Sequence, residues 1–483
     1  MEEIRTRFAP SPTGPLHMGS VRTALFNYLF AKKNKGTFLL RIEDTDKERS
    51  ESRWEEDILS NLTWLKLLWD EKETRQSDRT DIYEKHLRSL LEQGKAYYCF
   101  CSPEELEAQR QSLVSNGKTP KYIGTCRSLL AQEQEKRIQR GDRAVIRFIV
   151  EEKHLHFDDL VRGRIEFDTA LLGDIVIAKD LRTPLYNFTV VVDDHDTRIT
   201  HVIRGEDHIP NTPKQILLQE ALGLPRVFYA HLPLILAEDR TKLSKRHGDN
   251  SVTRFRKEGY LPETIINFLA LLGWNPGDDR EIFSLQELEQ EFSLQNIQKG
   301  GAIFNMQRFD WFNSLYIRKM SLAELTEACL PHLQEAGLIS NSSEETKQYA
   351  SKAVALYQER LQKLSEISSL VDFFFMETLS YSKDLLTWKD ATEDTTQSAL
   401  QKSLALLSAL LESSWDKEKI SATLLPEAEK EKNRGYLLWP LRVALTGKKA
   451  SAGPFEVAVA LGKEKSLSRI QEAITMVTQS RGV

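Results

Sequence analysis

Thirteen residues near the amino end, Arg7-Phe8-Ala9-Pro10-Ser11-Pro12-Thr13-Gly14-Pro15-Leu16-His17-Met18-Gly19, constrain the fold more than any other part of this 483-residue chain. They lie between a short apolar strand, Ile4 to Ala9, and a helix over Val21 to Lys33 that is built mostly from good helix formers and stops at Gly36. A loop between a strand and a helix is where an open α/β sheet holds its ligand. The helix start supplies N–H groups without intrahelical partners and a positive dipole end. His17 adds a side-chain donor there, and Gly19 admits a flat ring or a phosphate close to the backbone. Pro10, Pro12 and Pro15 fix φ and stiffen the loop before any ligand arrives. The segment reads as a nucleotide-binding loop; the competing reading is a proline-rich turn ahead of an ordinary helix.

A second segment decides between the two. Arg240-Thr241-Lys242-Leu243-Ser244-Lys245-Arg246-His247-Gly248-Asp249 is dense in cations. Lys242, Lys245 and Arg246 can face a polyphosphate, and Ser244 can donate a hydrogen bond to it. From Arg240 to Lys257 seven Lys or Arg stand against one acid, Asp249, in a chain whose net charge is −5. Such a patch can bind a polyanion while the remainder stays acidic. The chain contains neither G-x-x-x-x-G-K-[ST] nor G-x-G-x-x-G, so other common nucleotide signatures do not compete.

The length implies about three domains. A hydrophobic content of 40% and a charged content of 28% are those of an ordinary soluble protein. Met1-Glu2-Glu3-Ile4-Arg5 is too charged to open a signal peptide, and no apolar run approaches the ~20 residues of a membrane helix, so a cytoplasmic location is expected. The chain begins β-α-β: Ile4 to Ala9, the helix, then Phe38 to Ile42. A second helix carries Ile58, Leu62 and Leu65 on one face. From about Tyr97 short strands, such as Ala144 to Val150 and Asp174 to Ala178, alternate with turns. Parallel-sheet texture returns in Phe188 to Val192 and Ile199 to Ile203. One nucleotide-binding domain, 1–84 plus 188–236, is therefore expected to be split by an α+β insert, 85–187.

After Gly248 the chain turns helical, with Pro262 in the first turn of a helix that carries Ile265, Phe268, Leu269 and Leu272 and closes at Gly273. Past Tyr316 helix follows helix. Two stripes, Ala353-Tyr357-Leu361-Leu364 and Leu400-Leu404-Leu407-Leu411, read as core, as does Cys329.

His17-Met18-Gly19-Ser20 resembles the HIGH motif of class I aminoacyl-tRNA synthetases, departing at Ser20. Lys242-Leu243-Ser244-Lys245-Arg246 resembles the KMSKS motif of the same enzymes. Ala9-Pro10-Ser11-Pro12-Thr13-Gly14, Leu40-Arg41-Ile42-Glu43-Asp44-Thr45-Asp46, Val202-Ile203-Arg204-Gly205-Glu206-Asp207-His208 and Ala302-Ile303-Phe304-Asn305 narrow the resemblance to bacterial-type glutamyl-tRNA synthetases. It runs to Gly462-Lys463-Glu464 and so covers almost the whole chain. It implies a Rossmann-like α/β catalytic domain, an α+β insert that holds the tRNA acceptor end, and a stem-contact region over 237–320 that carries the cationic loop. An all-α anticodon-binding region in two parts, 321–384 and 385–483, completes it, where glutaminyl enzymes carry β-barrels. The implied partners are ATP with Mg2+, L-glutamate and tRNA(Glu), acting on a monomer.

The implied reaction has two steps: the α-carboxylate of glutamate attacks the α-phosphorus of ATP, and the terminal ribose of the tRNA then attacks the adenylate. Neither step needs a protein nucleophile, so catalysis comes from positioning and from stabilising charge on phosphate oxygens. The resemblance places His17, Lys242, Ser244 and Lys245 in that role and His17, Gly19, Asp207 and Lys245 on ATP. Arg7, Ser11, Glu43, Tyr186 and Arg204 fall on its glutamate positions. A substrate with two carboxylates and one ammonium suits Arg7 and Arg204 for the first and Glu43 for the second; the alternative is that Glu43 simply pairs with Arg41 or Lys47. Arg360, in Gln358-Glu359-Arg360-Leu361, matches a position used to read the last anticodon base, or else is an exposed arginine.

Four cysteines do not make a disulfide framework. Relatives hold a structural zinc in the insert through Cys-x-Cys and a later Cys-x-His. Here Cys99, Cys101 and Cys126 are present, Ser128 replaces the histidine, and Tyr122 is the candidate fourth ligand. The alternative is a cluster of thiols without metal. Two other functions compete with the ligase: a tRNA-binding paralogue without catalysis, and a glutaminyl-tRNA synthetase.

Overall fold

The strand ahead of the proline loop spans Arg5–Phe8 and pairs in parallel with Thr37–Ile42, Arg7 standing opposite Leu39. Parallel neighbours need a crossover, and the helix Met18–Lys33 supplies it. A helix that roofs a parallel sheet is apolar nearly all round; Val21, Leu25, Phe26 and Leu29 are fully buried. Its end differs from the expected glycine stop. Lys35 takes the left-handed conformation, φ 53°. Gly36 is needed instead for close approach, since a Cβ there would lie 2.1 Å from the Ile4 carbonyl oxygen. The neighbouring Thr37 N–H donates to that same oxygen at 2.8 Å.

A computed structural model of the chain describes residues 3–243 and 248–479. These form two compact units: one holds the chain to Arg256 together with Pro262–Met306, the other Lys257–Leu261 and the chain from Gln307. In the first unit the strand His201–Gly205 pairs in parallel with Phe228–Leu232, placing Arg204 opposite His231. The two strand pairs are stitched together where Thr200 N–H donates to Arg5 O at 3.0 Å and Asn27 Nδ2 donates to Ile203 O at 2.9 Å. The hairpin His154–Asp159 and Gly163–Asp168 is antiparallel and extends this sheet by pairing Asp159 with Tyr229. A separate antiparallel sheet joins Ala96–Cys99, Val145–Phe148, Ile175–Asp180 and Thr183–Pro184, in that order. With the helices Pro103–Ser115 and Ala131–Gln139 beside it in sequence, this part of the chain has the expected α+β character.

One expectation is overturned. Phe188 to Val192 is not a strand; Tyr186–Asp196 is a helix, and the strand begins at His201. Three consecutive valines favour extended backbone locally. Here every residue from Phe188 to Asp194 is buried, which erases the one-sided periodicity that marks a helix in sequence.

The second unit is helical throughout, from Met306–Lys319 and Leu322–Glu335 to Lys463–Gln479. Its core includes Cys329, Ala353, Tyr357, Leu361, Leu400 and Leu407. Leu411 corrects its stripe: it lies beyond the end of the helix Glu393–Ser408 and is 71% exposed.

Candidate active site

A cleft of about 1220 Å³ opens in the first unit at the proline loop and the carboxyl end of His201–Gly205. Its lining, drawn from well-separated stretches of sequence, brings together Arg7, Ser11, His17, Gly19, Glu43, Tyr186, Arg204, Asp207 and Lys242. Ser244 and Lys245 lie outside the described residues.

The side formed by the proline loop is held by backbone. Glu43 N–H donates to Pro10 O at 2.9 Å and Glu51 N–H to Pro12 O at 3.0 Å. His17 caps the helix Met18–Lys33, its Nδ1 accepting from Ser20 N at 3.2 Å, which satisfies one of the orphan N–H groups of the helix start. A Cβ at Gly19 would sit 3.2 Å from that Nδ1, so the glycine leaves room for the His17 ring itself. His17 and Ser251 form an antiparallel bridge. Met18 N–H donates to Asn250 O at 3.1 Å and Val252 N–H to Leu16 O at 2.9 Å. On the other flank Leu243 N–H donates to Ile235 O at 2.9 Å. Both flanks of the cationic segment are thus tied to cleft walls. Lys242 Nζ meets Asp207 Oδ2 at 2.9 Å; burial would raise the Asp207 carboxyl, but Lys242 outweighs it and holds it below the ordinary carboxylate value.

The opposite wall is a buried ionic cluster. Arg41, 2% exposed, donates from Nη1 to Asp194 Oδ1 at 2.7 Å and from Nη2 to Glu43 Oε1 at 3.1 Å. Glu43 does pair with Arg41, while keeping its place in the cleft lining. Burial pushes its carboxyl above the usual value against the pull of Arg41 and Arg7. Arg7 gives Nε to Asp194 Oδ1 at 3.0 Å. Burial would raise Asp194 too, but Arg7 and Arg41 together hold it low. Arg204 differs from Arg7 in having no carboxylate partner among the described residues. Its Nη2 donates to Thr212 Oγ1 at 2.7 Å and its Nε to His231 Nε2 at 3.3 Å, and its buried Nη1 has no partner among the described residues. The Tyr186 hydroxyl lies 3.0 Å from His208 Nδ1. Burial, with Arg204 adding, pushes that imidazole down to about 4, so it is neutral at pH 7.

Asp194, Arg41, His208 and His231 were not assigned a role from sequence. His208 stands inside a motif already quoted. The Asp193-Asp194 pair closing an apolar run was the signal for Asp194: two carboxylates are costly to bury without cations. For His231 the only hint is a lone histidine in the strand Phe228–Leu232.

The three thiols of Cys99, Cys101 and Cys126 lie within 4.8 Å of one another. Cys101 and Cys126 Sγ are 3.6 Å apart, and the Tyr122 hydroxyl is 3.4 Å from Cys99 Sγ and 3.6 Å from Cys101 Sγ. Tetrahedral zinc with arms of about 2.3 Å to sulfur and 2.0 Å to oxygen has edges of about 3.5–3.8 Å, which these three separations match. Arg360 is exposed in the turn after Glu344–Ala355, and its Nη1 donates to Ser451 O at 3.0 Å.

Comparison with known proteins supplies the remaining constraint. A model of the catalytic domain of class I tRNA synthetases (E and Q) matches residues 3–311, and an anticodon-binding domain model matches 324–474. Glutamate–tRNA ligase from Carboxydothermus hydrogenoformans is 43% identical over 97% of this chain and 99% of its own. Glutamate–tRNA ligase 1 from Caldicellulosiruptor saccharolyticus is 44% identical over 97% of this chain and 98% of its own. The crystal structure of a glutamate tRNA ligase from Elizabethkingia meningosepticum, in complex with its amino acid, aligns with TM-score 0.86 at 35% identity over 99% of this chain and 100% of that one.

Proposed function

Because the chain belongs to the class I tRNA synthetases of the glutamate and glutamine type, and its activity is ATP-dependent attachment of glutamate to tRNA, we propose a division of labour among the residues of the cleft. The relatives are glutamate enzymes and the carboxyl-terminal region is helical, which sets aside the glutaminyl alternative. The observation that carries the reading is the backbone bridge between His17 and Ser251. It joins the first motif to the carboxyl-terminal flank of the cationic segment, more than two hundred residues away, on one cleft, as an active site acting on one nucleotide requires.

His17, Gly19, Asp207 and Lys242, with Ser244 and Lys245, serve the nucleotide. Magnesium enters with the ATP, held mainly by its phosphates. The cations stabilise charge that develops on phosphate oxygens as the glutamate carboxylate attacks the α-phosphorus and pyrophosphate leaves; a tRNA ribose hydroxyl then attacks the carbonyl of the glutamyl-adenylate and AMP leaves. On the other wall Arg204 offers Nη1 to a substrate carboxylate, and Glu43 takes the ammonium. Arg7, Ser11 and Tyr186 complete the pocket. An amide in place of a carboxylate leaves a buried guanidinium without counter-charge, which disfavours glutamine. The non-catalytic alternative gives no reason to collect Arg204, Glu43 and His17 on one cleft.

The α+β insert serves the acceptor end and Arg360 the anticodon. Cys99, Cys101, Cys126 and Tyr122 hold a structural zinc, a support for the insert remote in sequence from the chemistry. Four free cysteines suit a reducing cytoplasm. Pyrophosphate exchange with ATP and glutamate, run with and without tRNA, tests the reading. Exchange with glutamate well above that with glutamine is expected; none under either condition would overturn it.

A further inference from the structure

Behind Arg204 lies a buried chain of side chains to which the steps above give no part. His231 is fully buried on the strand Phe228–Leu232, directly opposite Arg204 in register. Its Nδ1 is 2.6 Å from Asp159 Oδ2. Asp159 also accepts from the backbone N–H groups of Val161 at 3.0 Å, Arg162 at 2.8 Å and His231 at 3.1 Å, which makes it an acceptor-only carboxylate. The far nitrogen, Nε2, is 3.3 Å from Arg204 Nε and 3.0 Å from Thr212 Oγ1.

Hydrogen-bond capacity fixes the proton. A guanidinium Nε–H can only donate, so Nε2 of His231 must be bare. The ring proton therefore sits on Nδ1, where Asp159 takes it. Thr212 accepts from Arg204 Nη2, and its own proton has two acceptors within reach, Nε2 at 3.0 Å and the His208 carbonyl oxygen at 3.4 Å. Two of the three guanidinium nitrogens are thereby pinned, and Nη1, buried and without a partner among the described residues, is left. Burial lowers the imidazole pKa, with Arg204 acting in the same sense against Asp159, in keeping with a neutral ring.

We propose that His231, held as its Nδ1–H tautomer by Asp159, is the positioning residue that aims Arg204 Nη1 at a carboxylate of the amino-acid substrate. The inference rests on the reading of the cleft as a glutamate site. A carboxylate–imidazole pair would then orient a guanidinium without itself touching substrate.

Two isosteres separate positioning from mere packing. Asn at 231 reproduces the Nδ1 donor to Asp159 and loses the acceptor facing Arg204; Gln places an acceptor near the Nε2 position and loses the link to Asp159. The full-length enzyme is assayed by ATP–pyrophosphate exchange with its tRNA, measuring KM for glutamate, KM for ATP and thermal stability. His231→Asn is expected to raise KM for glutamate roughly 10–100-fold, as a misaimed binding group does, with KM for ATP within about twofold. His231→Gln is expected to recover most of that loss even where it is the less stable protein. A packing role predicts the opposite order, so equal KM values in both variants, or Asn closer to wild type than Gln, overturn the proposal. Should neither variant fold, Thr212→Val, which removes the Nη2 acceptor, must raise KM for glutamate; an unchanged value also overturns it. Wild-type enzyme inactive with glutamate would instead sink the underlying reading of the site.

Discussion

Replacing Asp194 by Asn probes the wall that holds Arg7. The carboxylate is 5% exposed and its Oδ1 accepts from both Arg7 Nε and Arg41 Nη1, at 3.0 and 2.7 Å. Arg41 also lies 3.8 Å from Asp193, which pairs with Arg79, so in the group Arg7, Arg41, Arg79, Glu43, Asp193 and Asp194 three cations face three anions and the substitution leaves one positive charge uncompensated. Breaking a buried pair in this way costs about 3–5 kcal/mol. A unit of roughly 300 residues unfolds with an entropy of about 0.6 kcal/mol/K, so the Tm of its transition should fall by ~5–8 °C. Arg7, released on one side, swings in the cleft, and KM for glutamate should rise on the order of 10²-fold while KM for ATP holds, because the nucleotide contacts do not involve Asp194. Differential scanning calorimetry and exchange kinetics on the full chain read both numbers. There is an acid-side signature as well. The folded carboxyl is held below its ordinary value, so it contributes stability above the unfolded pKa of about 3.9 that is lost as pH falls through the lower folded value. The Asn variant should lack that part of the acid loss. An Asn variant with wild-type Tm and KM would refute the cluster's role.

Four further outcomes are expected. His17→Asn keeps an N-cap side chain but removes the imidazole, so exchange should fall about 10²–10³-fold with Tm nearly unchanged; an equal loss in Tm and rate would show that His17 acts only as a cap. Burial raises the Glu43 pKa, so on acidification glutamate affinity should begin to fail above the usual glutamate range of about 4.3 as that carboxyl protonates. Glu43→Gln should weaken binding at neutral pH and flatten that limb, whereas a limb that persists in the variant would assign it elsewhere. Elemental analysis of protein purified without added zinc should give about one ion per chain, falling in Cys126→Ser and, by weaker retention under a chelator, in Tyr122→Phe; metal-free wild type would leave a thiol cluster. Arg360→Gln should leave the unfolding free energy within about 0.5 kcal/mol of wild type, since the side chain is exposed, while lowering the preference for glutamate tRNA over glutamine tRNA; unaltered charging of both would remove Arg360 from recognition.

Much of the site was legible because its residues sit in short contiguous strings. Arg7 to Gly19 and Val202 to His208 each combine strand end, turn and functional side chain in one stretch, and local sequence dictates all three. The partners that fix those side chains were hidden because they lie elsewhere in sequence and are buried. Asp194 was obscured by the misread helix Tyr186–Asp196, whose apolar residues show no exposed face to set a period. Its neighbour Asp193 meets Gln76, Arg79 and Tyr83, over a hundred residues away. The pairing of His231 with Asp159 depends on strand order, which propensity does not encode. Among the cysteines the spacing did point to a cluster, and the Tyr122 hydroxyl stands among the thiols.

The hairpin that carries Asp159 belongs by sequence to the inserted stretch, yet its tip reaches the strand that supports Arg204. Such a stretch cannot be swapped as a cassette. Grafting residues 85–187 from a distant relative, or trimming them, would strip the His231 imidazole of its anion unless the donor segment returned an acid at that one place. Lineages that exchange or shorten this region are therefore expected to keep the acid and the histidine together or lose both.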